Sequence, residues 1–149
     1  MSFAKPSLKG RALRLLSGRE HSRAELEHKL KRFEEEPGAL KQALDELQAK
    51  GFINEQRVIE SVLHRRAAKL GTARIKQELQ AKGLEPQAVS QALMGLQATE
   101  RERALAVWRK KFGTPPADAQ EAARQMRFLA SRGFSGEVIR RVVAGAPDQ

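Results

Sequence analysis

Catalytic or metal chemistry in this chain would have to begin with His21, His28 and His64, its only histidines, and with the carboxylate run Glu34-Glu35-Glu36. His21 and His28 stand seven residues apart, but a helix start at Ser22 falls between them and neither opens a metal-binding motif. Both read as surface or locally hydrogen-bonded residues. Adjacent carboxylates do not converge on an ion, so the acidic run reads as a solvating loop. The serines and threonines fall mostly at helix starts, where capping is a sufficient role. A hydrolase nucleophile would need an oriented base and oxyanion donors, and neither has a signature here. There is no phosphate-cradling glycine loop, which argues against intrinsic ATPase activity. The absence of cysteine excludes disulfides and thiolate zinc sites. The chain reads as a non-enzyme that needs no cofactor and no metal.

The basic residues are more informative. A formal charge of +10 favours an anionic partner through long-range attraction, without choosing among DNA, RNA, lipid and acidic protein. Arg11, Arg14, Arg19 and Arg23 bracket the amino-terminal elements, and Arg57, Arg65, Arg66, Lys69, Arg74 and Lys76 gather further on. A third set, Arg101, Arg103, Arg109, Lys110 and Lys111, surrounds Trp108. Aligned, they form a track for phosphates or for an acidic protein; dispersed, they are solvated faces. Trp108 is spaced with Leu105 and Phe112 for a packed helix seam, and Phe52 and Phe134 beside turn glycines read as core. With 5% aromatic residues and no tyrosine, base-stacking platforms are not the expected mode of binding.

These side chains must be positioned by helices. Gln42-Ala43-Leu44-x-x-Leu47 returns as Gln91-Ala92-Leu93-x-x-Leu96, and a Leu-x-x-basic-Gly-hydrophobic element occurs at Leu47 to Phe52, Leu79 to Leu84 and Leu129 to Phe134. The glycines serve turns, and the charge beside them is expected to face the partner. Ser22-x-x-Glu25 and Thr99-x-x-Glu102 have capping-box spacing, Asp118-x-x-Glu121 resembles it, and Asn54, Pro86 and Ser135 mark further starts. Leu26, Leu30 and Phe33 have helical spacing, as do Leu40, Leu44 and Leu47. The pattern predicts an all-α fold of tandem three-helix modules forming an elongated or curved body, with the last module truncated. The expected division is a helical extension over 1–20 and modules over 21–70, 71–113 and 114–149. No apolar run is long enough to span a membrane and Met1 to Pro6 lacks a secretion signal, so the expected location is cytoplasmic.

The ordered motifs resemble the RecX family of bacterial recombination regulators. They are Ser22-Arg23-x-Glu25-Leu26-x-x-Lys29-Leu30, Leu47-x-x-Lys50-Gly51-Phe52-Ile53-Asn54-Glu55-x-Arg57, Gly71-x-x-Arg74-Ile75-x-x-Glu78-Leu79-x-x-Lys82-Gly83-Leu84 and Arg127-Phe128-Leu129-x-x-Arg132-Gly133-Phe134-Ser135. The resemblance covers about Arg11 to Val143. It implies a monomeric, non-enzymatic modulator of RecA that binds RecA or its filament on single-stranded DNA, lowering strand exchange, ATP hydrolysis and coprotease activity. Carried over by position, Arg57, Arg65, Arg74 and Lys76 are the expected partner-facing residues. After Gly51 the chain departs from the commoner, more acidic family pattern. The alternatives are a tandem-helical protein binding bare DNA with weak specificity and no RecA contact, and a scaffold for an acidic protein.

Overall fold

The computed structural model describes residues 5–145, and among them all regular structure is helical. The order is α1 (Leu8–Gly18), α2 (Arg23–Leu30) with a 3-10 turn at Lys31–Phe33, α3 (Ala39–Ala49), α4 (Glu55–Arg66), α5 (Thr72–Ala81), α6 (Pro86–Lys111), α7 (Ala119–Ser131) and α8 (Gly136–Val143).

Local chemistry explains most of the starts. Ser22 accepts from the Glu25 amide and Glu25 accepts from the Ser22 amide, closing a capping box. The side chains of Asn54, Glu85, Asp118 and Ser135 accept from the third amide of α4, α6, α7 and α8 respectively. The box expected at Thr99 does not form, because α6 runs unbroken for 26 residues. Thr99 Oγ1 donates to the Leu96 carbonyl inside the helix at 3.3 Å. A Thr-x-x-Glu spacing is also an ordinary one-turn spacing, and no proline or positive-φ glycine precedes it.

Three apolar clusters build the body. The first holds Ala12, Leu26, Leu30, Leu40, Leu44, Leu47 and Ile53; the second runs from Val58 to Leu96; the third holds Ala104, Trp108, Leu129, Phe134, Ile139, Val142 and Val143. Each fully buried leucine or isoleucine contributes about 1.5–3 kcal/mol of transfer free energy. The clusters group the helices otherwise than the boundaries 1–20, 21–70, 71–113 and 114–149. Helix α1 packs with α2 and α3 rather than standing apart as an extension, and α4 joins α5 and the first half of α6. The short final module has α7 and α8 to itself and takes the second half of α6 as its third helix. Amphipathic stripes mark which face of a helix is buried, not which neighbour buries it.

The repeated glycine element is likewise sorted by the structure. Its copies at Leu79 to Leu84 and Leu129 to Phe134 join the second and third helices of their modules, while the copy at Leu47 to Phe52 links α3 to α4. Gly51, Gly83 and Gly133 have φ of 83°, 67° and 92°, the left-handed conformation that glycine adopts freely. The residue after glycine is buried at Leu84 and Phe134, but Phe52 is 47% exposed, against expectation. Ile53 takes the inward position there. Trp108 is core as expected, with its Nε1 donating to Gln125 Oε1 at 2.8 Å.

Candidate functional site

The site is assembled where the second module meets the third. The start of α5 lies against the α7–α8 turn: the Gly71 amide donates to the Arg132 carbonyl at 2.7 Å, and the Ala73 amide to the Gly133 carbonyl at 3.2 Å. A Cβ on Gly71 would lie 2.3 Å from the Gly133 carbonyl carbon, so this approach needs glycine. Glu100, buried on α6, accepts from the Thr72 amide at 2.8 Å and from the Ser135 amide at 3.1 Å. One carboxylate thus holds the starts of α5 and α8 together. Burial pushes its carboxyl up, but the bonds from Thr72 and Ser135 outweigh that and keep it below the ordinary carboxylate value. Arg103, one turn on, donates to the carbonyls of Ala67, Leu70 and Leu96 and to Thr72 Oγ1. Its guanidinium therefore ties α4, α5 and α6 and is withdrawn from any partner-facing track.

The joint leaves an open groove of about 980 Å³ beside it. Its cations are Arg66, Lys69, Arg74, Lys110, Lys111 and Arg132, over a floor that includes Leu70, Val107 and Phe128. Glu78 is the acidic residue lining it, and Arg65 and Arg66 pair with that carboxylate at 3.5 and 3.1 Å. Lys111 Nζ and the Arg132 guanidinium lie over the Phe128 ring at 5.3 and 4.8 Å from its centroid. Phe112 meets the same ring edge-on at 5.5 Å, which fixes the platform. Such a surface attracts polyanions and releases counterions on binding them.

Of the four residues expected to face a partner, the structure brings two to this groove. Arg74 lines it, donating to the Ser131 carbonyl at 2.6 Å while its stem packs over Gly133. Arg65 stands at its edge through Glu78. Lys76 lies elsewhere, lining a smaller cleft with Leu84, Pro86 and Leu93. Arg57 sits at the joint of the first and second modules, bound to Glu20 at 2.9 Å and to the Gly51 carbonyl at 2.7 Å. Sequence reasoning did not single out Phe128 for the groove, and it reached Arg132 only through the general expectation that the charge beside a turn glycine faces the partner.

The other joint reuses the same device. The turn at Lys82-Gly83 docks on the start of α2: Ser22 Oγ donates to the Lys82 carbonyl at 2.5 Å and Lys82 Nζ pairs with Glu25 at 3.3 Å. Lys82 is consumed by that contact, whereas Arg132 is left at the groove.

Family models match the chain in order: the first RecX three-helix domain over residues 9–47, the second over 54–93 and the third over 99–143. The chain belongs to the RecX family. The RecX domain segments follow the three apolar cores closely, including the split of α6. A RecX regulatory protein of Leptothrix cholodnii is 56% identical over 137 residues, covering 92% of this chain and 87% of that protein. One from Ralstonia nicotianae is 48% identical over 140 residues, covering 94% and 88%. The crystal structure of RecX from Lactobacillus salivarius superposes with a TM-score of 0.75 at 20% identity, covering 92% of both chains, which shows the shared fold. Among the described residues, no group of three or more His, Cys, Asp or Glu could hold a metal ion, and no helix is long and apolar enough to cross a membrane.

Proposed function

We propose that this chain modulates RecA by binding RecA assembled on single-stranded DNA, lowering strand exchange, ATP hydrolysis and coprotease activity. The observation that carries the reading is the groove between the second and third modules, in which six cations surround a single acid already paired within the protein. A filament presents repeated negative charge, and a groove with unspent positive charge gains association rate and affinity from it. The elongated body of three modules suits a partner that is itself a repeating assembly. The protein acts as a monomer in the cytoplasm, and the ATP turnover it lowers belongs to the recombinase.

The test adds purified protein to preassembled RecA and single-stranded DNA while following ATP turnover and association. Turnover should fall with added protein. Replacing Lys69, Lys110 and Lys111 by alanine removes three cations that face the anionic partner. Association should then weaken by about tenfold or more, and its salt dependence should flatten. No association at near-physiological salt, with turnover unchanged, would refute the proposal. The net charge of +10 favours a second reading, bare DNA binding without a RecA contact, which equal affinity for bare and RecA-coated DNA would support.

A further inference from the structure

A second cleft lies in the first module, away from the groove. It encloses about 730 Å³ between the start of α1, the end of α2 and the 3-10 turn. Arg11, Arg14, Lys29 and Arg32 line it together with His28 and with the apolar residues Pro6, Leu15 and Phe33, over the buried Leu30. No carboxylate is among its lining residues.

That imbalance is not shared by the rest of the module. Arg23 pairs with Glu27 and Asp45, Arg19 with Glu25, Lys41 with Asp45, and Lys9 with Glu46. Glu34, next to the cleft in sequence, is turned to cap α3 by accepting from the Leu40 amide at 2.8 Å. Arg11, Arg14 and Arg32 make no ion pair among the described residues. Glu34 and the acids of those pairs are committed elsewhere, Glu35 and Glu36 are exposed beyond the turn without lining the cleft, and the cleft keeps its charge.

Two of these cations are pre-positioned. The Arg11 and Arg32 guanidinium groups lie over the Phe33 ring at 3.8 and 4.6 Å from its centroid. Stacking holds each planar fork in place, so less side-chain freedom is lost when it grips a carboxylate. The same stacking covers the ring that a nucleobase would need as a platform. Beside the forks, Pro6 and Leu15 offer apolar surface, which a bare phosphate backbone does not fill.

We propose that this cleft is a docking site for an acidic protein segment, one that places carboxylates on Arg11 and Arg32 and an apolar side chain against Pro6 and Leu15. Charge complementarity selects the acid and the apolar floor selects the peptide. The site is separate from the groove and does not depend on the RecA reading.

The experiment measures fluorescence anisotropy of two labelled probes, a short peptide alternating glutamate with leucine and an oligothymidylate, at near-physiological salt. The proteins are the unaltered full chain, the double variant R11A/R32A, the single variant R14E and the groove variant K110A/K111A, each with helicity checked by circular dichroism. The peptide should bind the unaltered chain, and R11A/R32A should weaken it by about tenfold or more, the cost of removing charge-assisted hydrogen bonds. R14E, at an exposed position, should weaken it in the same direction without risk to the core. K110A/K111A should leave it unchanged. Failure of the peptide to bind, binding indifferent to R11A/R32A and R14E, or equal loss in the groove variant would overturn the proposal. Loss of oligothymidylate instead of peptide affinity in R11A/R32A would also overturn it and give the cleft to nucleic acid. Should R11A/R32A lose helicity, R14E decides alone. None of these outcomes bears on filament inhibition through the groove.

Discussion

Glu100 takes a negative charge into the joint and meets it with backbone amides of two helix starts rather than with a cation. That makes it a positioning residue whose value lies in having two acceptor oxygens. Replacing it by glutamine would keep the shape but set an NH2 donor against one of the two amides. Glu100→Gln should therefore cost about 1.5–3 kcal/mol, seen as a lower urea midpoint with an unchanged slope. An unchanged midpoint would mean that water already serves one of those amides. The residue was hidden in the sequence because Thr99-Glu100-Arg101-Glu102 has the spacing of a helix start, and the partners of Glu100 lie 28 and 35 positions away. Arg74, by contrast, was legible because it belongs to the same short stretch as the joint glycine Gly71. Arg57 and Lys76 share that charged character in the sequence, but only folding distinguishes a guanidinium spent on Glu20 and an ammonium in a separate cleft from a cation at the groove.

At the scale of elements, what could be read from the chain was what is settled within about one turn. Ser22, Asn54, Asp118 and Ser135 cap their helices as their positions suggested, because the acceptor and its amide are three residues apart. Which helices share a core is settled between distant segments, and there the expected boundaries were displaced. Helix α6 illustrates the difference, since nothing local tells that one helix serves two modules. It also contains a glycine that has no packing reason to be there. A Cβ on Gly95 meets nothing within 4 Å and its φ is ordinary for a helix. Gly95→Ala should stabilise the protein by about 0.5–1 kcal/mol by restricting the unfolded chain, read as a raised thermal midpoint. A lowered midpoint would show that α6 needs to bend there.

Across the whole molecule the two joints differ in construction. The second-to-third joint has a continuous helix, two backbone bonds and the buried Glu100, whereas the first-to-second is held by side chains around Ser22, Glu25, Lys82 and Arg57. Two titrating groups sit near the latter. His21 is buried, with Nδ1 facing the Arg19 carbonyl at 3.0 Å and Nε2 facing Lys29 Nζ at 3.1 Å; this is a neutral ring that donates on one side and accepts on the other. Burial, and the charges of Arg19 and Lys29, pull its pKa below the ordinary 6.5 despite the bond to the Arg19 carbonyl. Burial raises the Glu25 carboxyl, but Arg19, the Ser22 amide and Lys82 bring it down to about 2 from 4.5. Both folded values lie below the unfolded ones, so both contributions are complete above the unfolded pKa and are lost as pH falls through the folded value. Acid should loosen the first module ahead of the third, beginning below about pH 6.5 with His21 and continuing below 4.5 with Glu25. Trp108 reports on the third core alone, so its fluorescence transition should separate from the circular dichroism transition on acidification. Coincident transitions at every pH would show that the three modules melt as one.

Helix α6 also sets the relative orientation of the modules it serves. Each residue in an α-helix advances the chain by about 1.5 Å and rotates it by about 100°. Removing one residue between Leu96 and Glu100 would therefore turn the third core by that angle against the second and swing the carboxylate away from Thr72. Residue count along this helix is thus a quantity held in phase, as the teeth of a gear are, while residues 115–117, between the Thr114 carbonyl held by Gln125 and the cap at Asp118, lie outside any helix and carry no such phase. Insertions in this chain should be tolerated at residues 115–117 and fail in the helix, whatever residues are used to make them.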